Sequence, residues 1–345
     1  MNSLSDEMGK SSGLDPWWAR AVTLPMWLVG MMWLVLSALL VVILMRVVAW
    51  DEIEVFAIAN ALTAIIYLPA WFIALLGFVS RKNLLGLVAL TVVFAQLVFM
   101  APEIRAAEPL PPWAPRAQKF VLFDANVYNE NGSIQGYARQ IEGLKPSLVT
   151  LEEATPTKIL ALEKSGSLRA LPHRYSVLRF DPFAFFIASA FPLSDIRVVS
   201  RFGRPLVVEA TVHLRGNAIR LWVVHTTAPL GAAFEEWRDQ LRSIGVEAGR
   251  QGVGKLLVVG DFNATWGNRG FREILSEGLT DGAAARARPF DMTWSQLLWP
   301  VPPFVRIDHV LTGPGLAVGR IATGDGPGSD HRDVRAQILV RPTRP

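Results

Sequence analysis

No cysteine occurs in the 345 residues. That excludes disulfides, zinc–thiolate centres and cysteine nucleophiles, and leaves the compartment open. Charge is scarce as well: Asp, Glu, Lys and Arg make up 19% of the chain, against 51% hydrophobic residues. So apolar a composition excludes a disordered chain and is unusual for a soluble enzyme. With 27 glycines and 23 prolines, a collagen-like repeat is excluded too. Only five histidines are present, so the position of each one matters. At the usual domain size of about 100–200 residues, the length admits one to three units.

The hydrophobicity is concentrated in the first hundred residues, in three runs at Leu24–Met45, Val55–Val79 and Leu84–Met100. Each falls within or near the roughly 17–25 residues that cross a bilayer core as a helix. The first is too long for the h-region of a cleaved signal peptide. Pro69, in the second, is tolerated where neighbouring helices satisfy the freed backbone groups. Trp17, Trp18, Trp50 and Trp113 flank the runs, as rings at headgroup level do. Three transmembrane helices are therefore expected, at about 24–45, 55–79 and 84–100. The basic pair Arg81-Lys82, between the second and third, belongs on the cytoplasmic side. Arg46 can snorkel from the end of the first span to the interface. The N-terminal segment 1–23 is then cytoplasmic, and everything beyond the third span lies in the periplasm or outside the cell.

A proline-rich stretch, EPLPPWAP at 108–115, cannot continue a helix, and residues 102–116 read as a linker. Beyond it, short β-rich runs alternate with amphipathic segments. Residues 117–345 carry 27 Lys and Arg against 22 Asp and Glu. A basic domain tethered to a bilayer suits an anionic ligand, either a phosphate compound or lipid headgroups.

Polar residues sit at the ends of the expected strands. Lys119–Asn126 ends in an amide, Ser147–Glu153 in the carboxylates Glu152 and Glu153, and Arg220–His225 in a histidine. Lys255 opens a strand that closes on Asp261 and Asn263, spaced to share one face. Asp308 and His309 lie inside the apolar run that begins at Phe304. Ser329, Asp330 and His331 follow a glycine-rich loop and precede the last strand, Val334–Val340. Strict alternation sends Glu152 and Glu153 to opposite faces, so one of them faces any given site. One strand-end acid is ordinarily a turn or capping residue, but six polar strand ends in one domain can converge where open sheets place their ligands. Carboxylate and amide oxygens without thiols suit Mg²⁺, with Mn²⁺ as a substitute. Histidines beside such an ion can contact phosphate and move protons near neutral pH. The chemistry implied is metal-assisted hydrolysis of a phosphate ester.

In their order, Asn126, Glu153, His225, the GDFN at 260–263, Ile307-Asp308 and the SDH at 329–331 resemble the endonuclease/exonuclease/phosphatase superfamily over roughly residues 117–342. The resemblance implies a four-layered α/β sandwich of two packed mixed sheets with helices outside, over 117–345, after the three-helix membrane region. It implies Glu153 as the metal-binding glutamate, with Asn126 ordering metal and phosphate and Asp330 as a second metal-side carboxylate. It likewise implies Asp261 as the group that positions or deprotonates water, and Asn263 as a holder of phosphate oxygens. His331 would contact phosphate, oriented by Asp308, and His225 would be the second histidine, with Asp181 a candidate partner for it. Departures from the family pattern include Glu152 for a common Gln, His309 for a common Tyr, and Ser189-Ala190 for a frequent Ser-Arg. The last removes a possible phosphate contact and argues against a tight grip on nucleic acid. Gly249–Lys255 has P-loop spacing, but Leu256 replaces the hydroxyl residue and a strand follows it instead of a helix.

The expectation is a membrane-anchored, Mg²⁺-dependent phosphodiesterase or phosphatase acting outside the cytoplasm. Its substrate would be lipid-linked, soluble or nucleic acid, with the lipid bilayer as its other partner. A membrane-anchored nuclease is the alternative within the same chemistry. A catalytically silent binding or docking module on the same fold is the alternative outside it.

Overall fold

A computed structural model describes residues 23–296 and 300–343. Trp17, Trp18 and all but the last residue of the expected cytoplasmic segment lie outside the described residues. The chain forms two compact units. Among the described residues, one comprises 23–43 together with Tyr67–Ala95; the other comprises Leu44–Ile66 together with those from Gln96 to residue 343.

Among the described residues, two helices are long and apolar enough to cross a membrane, α1 (Met26–Val48) and α5 (Asn83–Ile104). The second apolar run is not one straight helix. It divides into α2 (Glu54–Ala61), α3 (Thr63–Ile66) and α4 (Leu68–Val79), with a bend of 77° at Leu62. The pieces count as a third span only if taken together. Polar residues inside the run account for the break. Asn60 turns its side-chain nitrogen to Asp51 Oδ1 (2.8 Å), and Thr63 Oγ donates to the Asn60 carbonyl. Gln96 Nε2 donates to the carbonyls of Thr63 and Ala64, at 3.2 and 3.1 Å, satisfying groups that the interrupted ladder leaves free. Pro69 is no kink: it lies in the first turn of α4, where a missing N–H costs nothing. Within the first unit, α4 and α5 approach closely at Gly77, where a β-carbon would stand 2.7 Å from the Gly86 nitrogen.

The second unit carries two six-stranded mixed sheets. Its strands are β1 (Gln118–Asn126), β2 (Leu148–Glu152), β3 (His173–Val177), β4 (Phe185–Ser189), β5 (Leu193–Arg201), β6 (Arg204–Leu214), β7 (Asn217–His225), β8 (Leu256–Asp261), β9 (Thr280–Asp281), β10 (Asp308–Thr312), β11 (Leu316–Thr323) and β12 (Val334–Val340). The first sheet has the order β11-β12-β1-β2-β4-β3 and the second β5-β6-β7-β8-β10-β9. The pairs β1/β2 and β7/β8 are parallel. The run beginning at Phe304 yields a strand only from Asp308.

Residue parity builds the layers. Phe120, Leu122 and Leu148 from the first sheet meet Leu221, Val223, Leu257 and Val259 from the second in the core between the sheets. Their odd-and-even neighbours point outward. Phe123, Val149 and Leu151 pack under α6 (Gln135–Leu144) and α7 (Pro156–Ser165). Trp222, Val224 and Val258 pack under α8 (Phe234–Gln251) and α9 (Arg269–Ser276). A short α10 (Gly282–Ala285) precedes β10. The expected four-layered sandwich is what the chain forms.

Candidate active site

The parity that fills the inter-sheet core also aims its polar continuations. Asn126 follows Phe120, Leu122 and Asp124 on the inward face of β1, and Glu152 follows Leu148 and Thr150 on β2. His225 ends β7 after Leu221 and Val223, and Asp261 ends β8 after Leu257 and Val259. The register brings these ends together: Asn126 pairs with Glu152, His225 with Asp261, and Asp308 also with Asp261. Gly260 permits the close fit, since a β-carbon there would lie 2.2 Å from the Val224 carbonyl and its φ is +118°.

Glu153 reaches this edge by a route that alternation does not foresee. β2 ends at Glu152, and Glu153 takes a left-handed φ of +57° that turns its side chain back to the site. There Oε1 accepts from Asn126 Nδ2 (2.9 Å) and Oε2 from the Asn129 backbone N–H (2.8 Å). Glu152 is the residue that keeps the inward direction. It is fully buried with neither oxygen satisfied, close to Asp124, and burial together with the Asp124 charge pushes its carboxyl well above the usual range.

Asp261 stands at the centre. Its Oδ2 lies 3.2 Å from Asn126 Nδ2, 3.6 Å from His331 Nε2 and 3.7 Å from His225 Nε2. His225 Nε2 is also 3.7 Å from Glu153 Oε1. Burial raises the Asp261 carboxyl to about 6, against the pull of the two histidines. Asn263, at a φ of +47°, gives its backbone N–H to Asp261 Oδ1 (2.8 Å), and its amide nitrogen donates to the Thr226 carbonyl (3.0 Å). Asp308 grips His331 Nδ1 with both oxygens, at 2.9 and 3.1 Å, leaving Nε2 toward Asp261. Burial alone would lower the His331 pKa, but the Asp308 and Asp261 carboxylates lift it to about 10. Ser329 Oγ ties the SDH loop to β1 by donating to the Asn126 carbonyl (2.8 Å), and it accepts from the His331 N–H (3.0 Å).

Among the described residues, Asp261, Asp308 and His331 offer ligand atoms within 4.8 Å of one another, although His331 Nδ1 is already hydrogen-bonded to Asp308. Glu153 and Asn126, joined at 2.9 Å, offer oxygens of the kind a hard ion takes. Asp330 Oδ2 accepts from Trp294 Nε1 (2.9 Å), and its buried Oδ1 has no hydrogen-bond partner.

Two expectations fail. Asp181 is not the partner of His225: it pairs with Arg179, while His225 Nδ1 meets the Pro182 carbonyl at 3.0 Å. Ala190 is not a vacated phosphate contact. Ser189 pairs with Leu148, at the far end of β2 from Glu152, so an arginine at 190 would start at the wrong end of the sheet. His309 lies behind the site, its ring 4.1 Å from that of Phe271 and its Nε2 3.0 Å from the Ala264 carbonyl. Sequence reasoning missed Asn129, which acts through its backbone and leaves no side-chain signal. It also missed Lys158, whose Nζ donates to the Tyr128 carbonyl (2.5 Å) beside Glu153, and whose pKa burial lowers to about 8. A lysine two residues into an ordinary helix start gives no hint of burial.

The Endonuclease/Exonuclease/phosphatase family model matches residues 125–331, more than half of the chain. No curated protein matches significantly. Among solved structures, a truncated Caenorhabditis elegans TDP2 is 15% identical with a TM-score of 0.53, covering 64% of this chain and 98% of its own. D. rerio TDP2, complexed with a single-strand DNA product, is 16% identical with the same TM-score, covering 64% and 99%. A Neisseria 3′ phosphatase bound to a product DNA hairpin is 19% identical with a TM-score of 0.50, covering 63% and 98%. At these identities the structures speak for the fold alone, and the family match speaks for descent. The motifs, their convergence at one sheet edge and the family match agree: the chain belongs to the endonuclease/exonuclease/phosphatase family.

Proposed function

We propose that the protein is a membrane-anchored, Mg²⁺-dependent hydrolase of phosphate esters, acting outside the cytoplasm on a phosphate carried by a lipid. What supports hydrolysis is the set of groups around Asp261: a buried carboxylate with a pKa of about 6, between two imidazole Nε2 atoms and next to a glutamate held by an amide. Glu153, Asn126 and Asp330 would hold the ion, which when bound withdraws charge from the phosphoryl oxygens. Asp261 takes the proton of the attacking water, and the backbone of Asn263 fixes its carboxylate. The His331 imidazolium, held by Asp308, presents Nε2–H to a phosphate oxygen. His225, its ring fixed by Nδ1–H donation to the Pro182 carbonyl, presents Nε2 as an acceptor 3.7 Å from Asp261, and the departing ester oxygen takes its proton from solvent. The P–O bond to water forms as the ester P–O bond breaks.

A lipid substrate is favoured by the apolar lip on the His225 side. Phe183 packs on the His225 ring at 5.7 Å. The loop leading to it exposes Leu178 and Phe180, and the loop after His225 exposes Leu230. Next to Leu230, the Gly231 N–H donates to Glu54 at the start of α2 (3.0 Å), so the lip adjoins the end of an apolar run. The excess of basic residues over 117–345 favours the second reading, a tethered nuclease, as do the DNA products named for two of the similar structures.

Salt separates the two. Purified protein with Mg²⁺ should cleave a phospholipid analogue with a KM nearly independent of salt, and EDTA should abolish turnover. A nuclease gripping several phosphates would instead lose affinity by about 0.7 log units per neutralised phosphate for each log unit of salt on single strands. Efficient, steeply salt-dependent DNA cleavage with no lipid or monoester turnover would establish the nuclease. Binding without any turnover would establish the silent module.

The topology proposed is three crossings, Thr63–Val79 being the second. At about 1.5 Å per residue its helical length falls a little short of a bilayer core, so flanking residues would have to reach the interface. A reporter joined to the C-terminus should read as extracytoplasmic, and protease added to spheroplasts should cut near Pro111–Pro115. Full protection of the domain would leave only α1 and α5 as crossings and put the site in the cytoplasm.

A further inference from the structure

The seven residues after Asp261 have no regular structure before α9 begins at Arg269. They are nevertheless held by many hydrogen bonds, and several of the partners come from before the proline-rich stretch. Trp50 Nε1 donates to the Gly267 carbonyl (2.9 Å), and Asp51 Oδ2 accepts the Arg269 N–H (2.6 Å). Asn60 Nδ2 secures the other oxygen of Asp51 (2.8 Å). Asn268 Nδ2 donates to the Ala57 carbonyl at 3.0 Å, and Thr265 Oγ1 to that of Ala61 at 3.3 Å. Gly267 lies so close to α2 that a β-carbon would fall 1.7 Å from the Asn60 carbonyl oxygen. Ala57 is buried in the same apolar cluster as Phe262, Ala264 and Phe271. On the opposite side, His309 Nε2 meets the Ala264 carbonyl and Trp266 Nε1 donates to Asp281 Oδ2 (2.6 Å). Arg306 Nη2 reaches both Asp281 and Glu103, the latter at 2.6 Å from the end of α5.

We infer that residues 50–61, seconded by Glu103, form a juxtamembrane bracket that positions the loop carrying Asp261 and Asn263. Asp51 and Asn60 are its principal positioning residues. An irregular loop keeps a left-handed residue such as Asn263 in place only when its surroundings over-determine it. Here the surroundings are α2 and the turn before it. The catalytic domain is therefore not separable at residues 102–116: a chain cut there would leave the Gly267 carbonyl, the Asn268 amide and the Arg269 N–H without these partners, and the Phe262–Phe271 surface uncovered. Asp51, near the first turn of α9, also sits where a carboxylate is favoured by the helix dipole.

The inference rests on the hydrolase reading for its kinetic readout but not for its structural one. In the full chain in nanodiscs, Asn60→Ala should lower kcat about tenfold with KM changed less than about twofold. Asn126, His225 and His331, proposed to face the phosphate, lie on other segments, whereas small misplacements of reacting groups are costly. Hydrogen exchange at 264–269 should quicken at least tenfold while β1 and β12 keep their protection. Val246→Ala, on the exposed side of α8 and outside the bracket, should change neither. Should Asn60→Ala loosen the whole sandwich, the near-isosteric Asp51→Asn decides, since it turns one carboxylate acceptor into a donor facing Arg269 N–H or Asn60. Local exchange with Asp51→Asn supports the bracket. Parent-like exchange at 264–269, or uniform loosening in both variants, overturns it. If no substrate is turned over by the parent protein, the exchange pattern still decides the bracket, and the failure belongs to the hydrolase reading.

Discussion

Glu153→Gln should lower kcat by about 10²-fold or more at saturating substrate, whereas Glu152→Gln should stay within about threefold. The two glutamates are neighbours in sequence and opposites in state. Glu153 accepts two hydrogen bonds, from Asn126 and Asn129, and its outward oxygen lies 3.7 Å from His225 Nε2. Gln keeps its size but loses the charge that would hold a divalent ion, and it presents an N–H to one of the two donors. Glu152 is fully buried beside Asp124, and burial drives its carboxyl to the neutral form. Two adjoining buried carboxyls both favour the neutral form, so a neutral amide of the same shape is a mild change there. Metal titration separates binding from chemistry: the Mg²⁺ concentration for half-maximal rate should rise steeply in Glu153→Gln and stay put in Glu152→Gln. Wild-type turnover by Glu153→Gln would remove Glu153 from the metal site, and equal losses in both variants would mean that Glu152 also acts in its ionised form.

The contrast between these two residues also shows what a sequence carries and what it hides. Sheet parity was legible. Phe120-x-Leu122 and Leu257-x-Val259 predict inward faces, and Asn126, His225 and Asp261 fall on them because they extend the same alternation. The four layers follow from that parity and from the family motifs. Alternation fails at Glu153 because one left-handed residue reverses a side chain without any change of composition. It fails to locate Ala190 as well, since the antiparallel pairing of β4 with β2 decides which end of a strand a motif occupies, and pairing is a long-range property. Hydropathy found the second apolar run but not its break at Leu62. A sliding average dilutes Asn60 and Thr63 among apolar neighbours, and their partners Asp51 and Gln96 lie 9 and 33 residues away. The same blindness hides the juxtamembrane bracket, in which residues 50–61 answer to residues 265–269.

Asp308→Asn should cost on the order of 10²-fold in kcat, and it should also move the alkaline limb of the pH profile, which separates it from a merely structural lesion. His331 is pushed up to about 10 by carboxylates that outweigh its burial, with Asp308 first among them. Below about 10 the imidazolium keeps its proton and faces the phosphate with Nε2–H. Above that it becomes neutral, and the rate should fall. Asp261 sets the acid limb: raised by burial to about 6, it accepts a proton from water only once ionised, so activity should climb as pH rises through that value. Replacing Asp308 removes the largest of the charges supporting His331, so the alkaline limb should shift down by at least one unit toward the ordinary histidine range near 6.5. The acid limb should also shift down, since Asp308 is one of the charges that raise Asp261. Stability follows the same linkage. A histidine whose pKa is raised on folding contributes its full stabilisation below about 6.5 and loses it as pH passes through about 10. Wild-type protein should therefore lose thermal stability between those values, and Asp308→Asn should lose less over the same interval. Rate profiles from pH 5 to 11 at saturating Mg²⁺, paired with melting temperatures at each pH, test both. An alkaline limb unmoved by Asp308→Asn would mean that some other group, such as Lys158 with its pKa lowered to about 8, sets it.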